Sequence, residues 1–314
     1  MAFSYHPELA PVLAQLADLA LPRAARGDWQ SLRTYGEAGL QGQSDRLPAR
    51  DDVARTDDDV TSFDGALIGV RWYEPAERTA PGGAAVYVHG GGMIMGSVAA
   101  YDKILAAYAG DSGVPLLAVD YRTAPEHPHP TPIEDTLAAL VWLRRNAARF
   151  DIDPERIGII GDSGGGGVAA GTALLARDRG VPLAAQILIY PMLDDRNTEP
   201  DPLLEPFAGW SYDDNYTGWR ALLGDALGTD AVPGTAAPAR AAELSGLPRT
   251  YIDVGELDIF RDESIEYARR LTAAGVTTEL HVHPGCPHGF EHVNPASGVA
   301  RRAREDRLRA LREI

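Results

Sequence analysis

Cysteine is almost missing from this chain: Cys286 stands alone among 314 residues. With no second thiol to pair with, an internal disulfide is excluded, and a reducing cytoplasm is the expected compartment. Clustered metal ligands are missing too. No Cys/His set has zinc-type spacing, and His127 and His129 are interrupted by proline, so no metal and no other cofactor is expected. There is no run of about 18 apolar residues, so no bilayer-spanning helix is expected. Positive charge is short. Lys and Arg total 29 against 45 Asp and Glu, a net charge of −16, which argues against nucleic acid or an anionic membrane as a partner. The start of the chain carries His6, Glu8 and Asp18 and no basic leader, so no secretory signal is expected. What is present is ordinary for a globular enzyme-sized chain, 45% hydrophobic and 24% charged. The length suits one large α/β domain with an insertion, or two domains.

Along the chain, Leu9, Val12, Leu13, Leu16 and Leu19 recur at helical spacing, so 7–21 reads as an amphipathic helix. The stretch 36–50 is rich in Gly, Gln, Ser and Asp and reads as loop. Residues 53–60 and 66–74 flank Asp64-Gly65 and read as an antiparallel edge hairpin. The pattern then changes to buried strands alternating with helices: strands at 84–88, 115–119, 157–160, 185–190, 250–254 and 278–282, with helices at 98–109, 132–149, 168–177, 261–274 and 296–312. Such alternation implies a mostly parallel sheet with helices on both faces. It is broken at 194–238, where Phe207, Trp210, Tyr212, Tyr216 and Trp219 gather in an apparent insertion, with a helix expected over 213–223.

The chain is organised around Gly161-Asp162-Ser163-Gly164-Gly165. An apolar strand leads in and a small-residue helix leads out, the G-x-S-x-G turn that stands a serine hydroxyl proud of a sheet edge. A dinucleotide fingerprint over Gly164, Gly166 and Ala169 fits poorly, because the next strand ends in Tyr190-Pro191 and not in an acidic residue. A serine hydroxyl is a weak nucleophile until a base takes its proton. His288 follows the last strand in a turn and is the favoured base, with His292 in reserve. Asp258 follows strand 250–254 and is the favoured orienting acid, with Glu256 as runner-up. Strand 84–88 ends in His89-Gly90-Gly91-Gly92, whose bare N–H groups suit an oxyanion. Gly90, Gly91 and Gly164 are the expected donors. Met93, Trp210 and Tyr212 are candidate pocket residues.

These segments together resemble the bacterial hormone-sensitive-lipase-type esterases of the α/β-hydrolase fold. The resemblance is carried by His89-Gly90-Gly91-Gly92, by Gly161-Asp162-Ser163-Gly164-Gly165, by Asp258 with His288-Gly289-Phe290, and by Asp120-Tyr121-Arg122-Thr123-Ala124-Pro125-Glu126-His127-Pro128. It is firmest over 66–292. Gly164 departs from it, standing where the family usually has alanine. The resemblance implies a single domain over 1–314 with a cap built from about 1–50 and about 194–238. Ester hydrolysis through a Ser-His-Asp triad without a cofactor is expected, on short- to medium-chain acyl esters, since the acidic surface suits a soluble substrate and the aromatic insertion and the 7–21 helix, if both cover the elbow, enclose a pocket of limited length. Hydrolysis of an amide, formamide or carbamate by the same groups stays open, and a non-catalytic receptor is disfavoured because all three residues are present. The resemblance implies as well a cis peptide among Ala124-Pro125 and His129-Pro130, and a possible homodimer paired through strand 278–282.

Overall fold

The computed structural model describes residues 3–19, 22–78 and 80–314. One sheet of eight strands forms its centre: β1 (Val53–Thr61), β2 (Leu67–Pro75), β3 (Gly82–Val88), β4 (Leu116–Val119), β5 (Ile152–Asp162), β6 (Ala185–Ile189), β7 (Arg249–Gly255) and β8 (Thr278–His283). Their order across the sheet is β1-β2-β4-β3-β5-β6-β7-β8. The pairs β1–β2 and β2–β4 are antiparallel, and all the others are parallel. Strands β3, β4 and β6 are buried along almost their whole length, which is why they read as unbroken apolar runs and not as alternation. The hairpin β1–β2 closes one edge, and its outer strand β1 carries Asp57, Asp58 and Asp59, which discourage edge pairing.

The helices are α1 (Ala10–Asp18), α2 (Trp29–Asp45), α3 (Asp102–Ser112), α4 (Thr131–Arg145), α5 (Gly164–Asp178), α6 (Tyr212–Leu223), α7 (Arg261–Ala273), α8 (Phe290–Val293) and α9 (Gly298–Arg312). The connection from β3 through α3 to β4 runs one way across the sheet, while β4 through α4 to β5 runs the other. Right-handed crossovers in opposite directions place their helices on opposite faces. Helix α3 accordingly packs with α9, and α4 packs with α5. The reversal leaves a crevice beyond the carboxyl ends of β3 and β5, where an open α/β sheet binds ligands.

Two local expectations are revised. The stretch 36–50 is not loop, since α2 continues to Asp45. Asp28 caps this helix, accepting the Ser31 N–H at 3.1 Å, and Arg33 ties it to the body, donating to the carbonyls of Ile94 at 2.6 Å and Ala124 at 2.7 Å. Tertiary contacts thus outweigh the low helix propensity of Gly36, Gly39 and Gly42. The first helix is shorter than its apolar spacing suggests, and positions 20 and 21 of that expectation lie outside the described residues. Both Ala124–Pro125 and His129–Pro130 are cis, as is Ala80–Pro81. Among the described residues, no helix is long and apolar enough to cross a membrane.

The helix α5 can approach β3 only because residue 165 has no side chain. A Cβ there would lie 2.3 Å from the carbonyl oxygens of Val88 and His89. Gly165→Ala should therefore destabilise the fold by about 1–3 kcal/mol through overpacking. Gly42→Ala meets nothing within 4 Å and should stabilise by roughly 0.5–1 kcal/mol through helix propensity. Urea denaturation of the two variants checks both signs, and equal midpoints would refute the packing argument.

Candidate functional site

Ser163 stands between β5 and α5 at φ 56°, ψ −123°, a conformation that L residues rarely adopt. The turn is held from three sides. The Ser163 N–H donates to the Ile189 carbonyl at 2.9 Å, and the Ser163 carbonyl accepts from Gly167 at 3.1 Å and Met192 at 3.0 Å. Its hydroxyl points at His288, with Oγ 2.9 Å from Nε2. Nδ1 of the same ring is 2.7 Å from Oδ2 of Asp258. A carboxylate can only accept, so Nδ1 carries the ring proton and Nε2 is left to accept from Ser163. The other Asp258 oxygen accepts the Phe260 N–H at 3.0 Å, which fixes the carboxylate at the end of β7. The imidazole is held edgewise between Tyr190 and Phe260, with ring centroids at 4.7 and 5.2 Å. Burial disfavours the charged ring, but the charge and hydrogen bond of Asp258 outweigh it, with Glu291 and Asp162 adding, so the His288 pKa lies above its ordinary value.

The reserve residues are elsewhere engaged. Glu256 accepts the Gly285 N–H at 2.8 Å and braces the His288 turn from outside. His292 lines the cavity, but its ring nitrogen is nearest Glu291, at 3.8 Å.

The glycine loop requires a correction. The Gly90 N–H does not face the space above Ser163; it donates to the Tyr101 hydroxyl at 3.1 Å. Tyr101 in turn donates to Asp162 at 2.8 Å, as Tyr87 does at 3.0 Å. Burial pushes the Asp162 carboxyl above the ordinary carboxylate range in spite of these two donors. Gly91 and Gly92 are the loop residues that reach the cavity, turned by φ values of 116° and 56°. The Gly92 nitrogen lies so near Gly164 that a Cβ on the latter would be 2.7 Å away. The Gly90 N–H is thus already engaged, and Gly91 and Gly92 are the loop glycines that line the cavity beside Ser163.

A cavity of about 520 Å³ opens over Ser163. Val12 and Leu16 of α1 wall it, with Gly36, Gly39 and Leu40 of α2 and Gly209 and Trp210 of the insertion. Trp210 lies over Gly92, where a Cβ would be 2.5 Å from the indole. Met93 and Tyr212 do not line this cavity. Met93 is buried and turns toward Gly167, and Tyr212 faces a separate cleft beside Asp194 and Glu263. Met95 takes the place expected of Met93.

Sequence reasoning missed Tyr101, Arg33 and Tyr190. Tyr101 lies on the turn ahead of α3, and no local pattern shows that its hydroxyl will serve Gly90. Arg33 also holds Glu126 through two bonds of 2.7 Å, and that carboxyl is lowered to about 2 by the Arg33 hydrogen bonds. Among the described residues Glu279, His281 and Asp306 alone group as metal ligands would, and Arg309 already donates to Glu279 there.

The chain is similar to known hydrolases. A family model described as alpha/beta hydrolase fold matches residues 85–292. The chain is 35% identical over 302 residues to carboxylesterase NlhH of Mycobacterium tuberculosis, covering 94% of this chain and 93% of that protein. It is 30% identical over 299 residues to an ethyl acetate hydrolase of Pseudomonas putida, covering 91% and 92%. Among solved structures, a bacterial heroin esterase superposes with a TM-score of 0.89 at 36% identity, covering 99% of this chain and 98% of that one.

Tyr101→Phe tests the brace under the loop. It strands the buried Gly90 N–H and removes one donor from Asp162, so unfolding stability should fall by about 1–3 kcal/mol. A wild-type denaturation midpoint would show that Gly90 finds another acceptor.

Proposed function

The chain belongs to the hormone-sensitive-lipase-type esterases of the α/β-hydrolase fold and is a carboxylic ester hydrolase; from that premise we propose that Ser163, His288 and Asp258 perform the hydrolysis as a triad through an acyl-enzyme. The observation that carries this reading is the continuous hydrogen-bonded line from Ser163 Oγ to His288 Nε2 and from His288 Nδ1 to Asp258, at the floor of the cavity.

Ser163 Oγ attacks the ester carbonyl carbon while His288 Nε2 takes the hydroxyl proton. The carbonyl electrons move to oxygen, and that oxyanion is met by the N–H groups of Gly91, Gly92 and Gly164. The bond to the alcohol oxygen breaks, and His288 returns the proton to it. Water, deprotonated by the same nitrogen, then releases the acid and restores Ser163. Asp258 holds the ring in the tautomer this requires. We infer that the cap over the site consists of residues in about 1–50 and about 194–238, because α1, α2 and Trp210 form the cavity walls opposite the serine.

Two experiments test this. Ser163→Ala should abolish aryl-ester hydrolysis and labelling by an organophosphate. Asp258→Asn should fold but turn over on the order of 10⁴ times slower, since the amide favours the wrong tautomer. Full activity in Ser163→Ala, or a large loss in Glu256→Gln with none in Asp258→Asn, would overturn the assignment.

A further expectation concerns substrate length. A partly open cavity of about 520 Å³ is of small-molecule size. Each added CH₂ gains about 0.8 kcal/mol while it is buried, and overpacking costs about 1–3 kcal/mol once the cavity is full. Hydrolysis should therefore peak at short to medium acyl chains and then decline, with matched amides slower throughout. A rate still rising at about sixteen carbons would refute the limited-volume argument, and faster amides would move the reading to an amide hydrolase.

A further inference from the structure

Behind the triad lies a buried ion group that the reaction just outlined does not use. Arg307, on α9, is fully buried, and its Nε and Nη2 donate to the two carboxylate oxygens of Asp253 on β7 at 2.6 and 3.0 Å. Its Nη1 donates to Oε1 of Glu291 on α8. The same Oε1 accepts the Tyr190 hydroxyl at 2.7 Å. Tyr190 is the residue whose ring packs against His288, and its backbone is strained at φ 34° just past β6. A continuous path thus runs from α9 through Glu291 and Tyr190 to the imidazole.

The charges in this group do not balance. One guanidinium serves two carboxylates, which leaves one negative charge. The planar fork of Arg307 is matched to Asp253, so that pair would bind α9 to the sheet without Glu291. Glu291 is held by the one remaining arm, and its Oε2 is buried with no partner. Buried carboxylate oxygens are ordinarily satisfied, so an unbalanced one three residues beyond His288 calls for a reason.

We propose that Glu291 is a positioning residue for the ester hydrolysis, fixing the His288 ring through Tyr190 and favouring, by its negative charge, the imidazolium that forms as Ser163 attacks. The proposal rests on the roles given above to Ser163 and His288. His288 is faced by Asp258 from the β7–α7 turn, by Ser163 and Asp162 from the elbow, by Tyr190 from the end of β6, and by Glu291 from α8. Glu291 is faced by Arg307, by Tyr108 beyond it on α3, by Tyr190, by His292, and by His283 of β8 and Cys286 of the turn after it. Burial raises the Glu291 carboxyl, but Arg307 and then His292 outweigh it and hold it at about 2, so the group is charged wherever His288 titrates.

The test is the pH dependence of kcat and KM for a short aryl ester. Glu291→Gln keeps an acceptor for Tyr190 and Arg307 and places its amide nitrogen where Oε2 has no partner. Loss of the charge destabilises the imidazolium, so the His288 pKa falls and the neutral base persists to lower pH. The acidic limb of kcat/KM should move down by about 0.5–1 pH unit, while plateau kcat falls roughly 3- to 10-fold and KM changes little. Glu291→Asp retains the charge and should leave the limb in place. Tyr190→Phe breaks the tie and keeps the charge, so kcat should fall several-fold with the limb unmoved. An unmoved limb in Glu291→Gln overturns the proposal. Should that variant fail to fold by circular dichroism, wild-type kcat in Tyr190→Phe overturns it instead. Ser163→Ala is the control: if it stays active, the triad reading falls first, whatever Glu291→Gln does.

Discussion

Ser163 sits at φ 56°, and the architecture around it depends on keeping it there. A non-glycine residue in such a conformation costs on the order of 1–3 kcal/mol, and it persists only where its surroundings leave no alternative. Here the surroundings are backbone. A Cβ at Gly161 would strike the Gly165 carbonyl at 2.4 Å, and one at Gly167 would strike the Met192 carbonyl at 2.1 Å. Strand, turn and helix therefore meet with no side chains between them, and the hydroxyl is the first group that the tight turn presents to the cavity. The line from Ser163 through His288 to Asp258 runs across the carboxyl ends of neighbouring strands, since β6 lies beside β5 and β7 beside β6, and these strands lead into Tyr190 and Asp258.

Much of this was legible in the sequence, for identifiable reasons. Buried parallel strands are unbroken apolar runs, and the elbow needs glycine at positions that chain order alone reveals. Asp258 and His288 follow strands and so could be placed beside Ser163 without coordinates. The contacts that could not be read are those made by a long side chain to a distant backbone group. Nothing near Gly90 shows that Tyr101 will take its N–H. Nothing near Gly36 shows that Arg33 will reach Ile94 and Ala124 and keep a glycine-rich segment helical. Met93 and Met95 are equivalent in the sequence; the turn of the loop at Gly91 and Gly92 decides which one faces the cavity.

Every basic residue except Lys103 is arginine, and the buried ion pairs show what that selects for. Arg240 holds the fully buried Asp195 at 2.5 and 2.9 Å, closing the base of the insertion. Arg122 holds Asp135 at 2.8 and 2.9 Å, joining the segment after β4 to α4. A planar fork satisfies both oxygens of a buried carboxylate at once, which a lysine ammonium does not. The many exposed pairs contribute little individually. The few buried ones anchor loops that carry the site, which lets a strongly acidic chain keep a rigid cavity.

The contact between Gly164 and the loop has an evolutionary consequence. A methyl group at 164 would lie 2.7 Å from the nitrogens of both Gly92 and Met93, so two segments far apart in the chain share a gap too narrow for one more carbon. Alanine at the elbow is compatible only with a loop that stands farther off. A hybrid that takes its elbow from one parent and its glycine loop from another inherits either a collision or a void. Substitutions at these two places are therefore acceptable in one order and not in the other: the loop must retreat before the methyl arrives, and the methyl must leave before the loop can return.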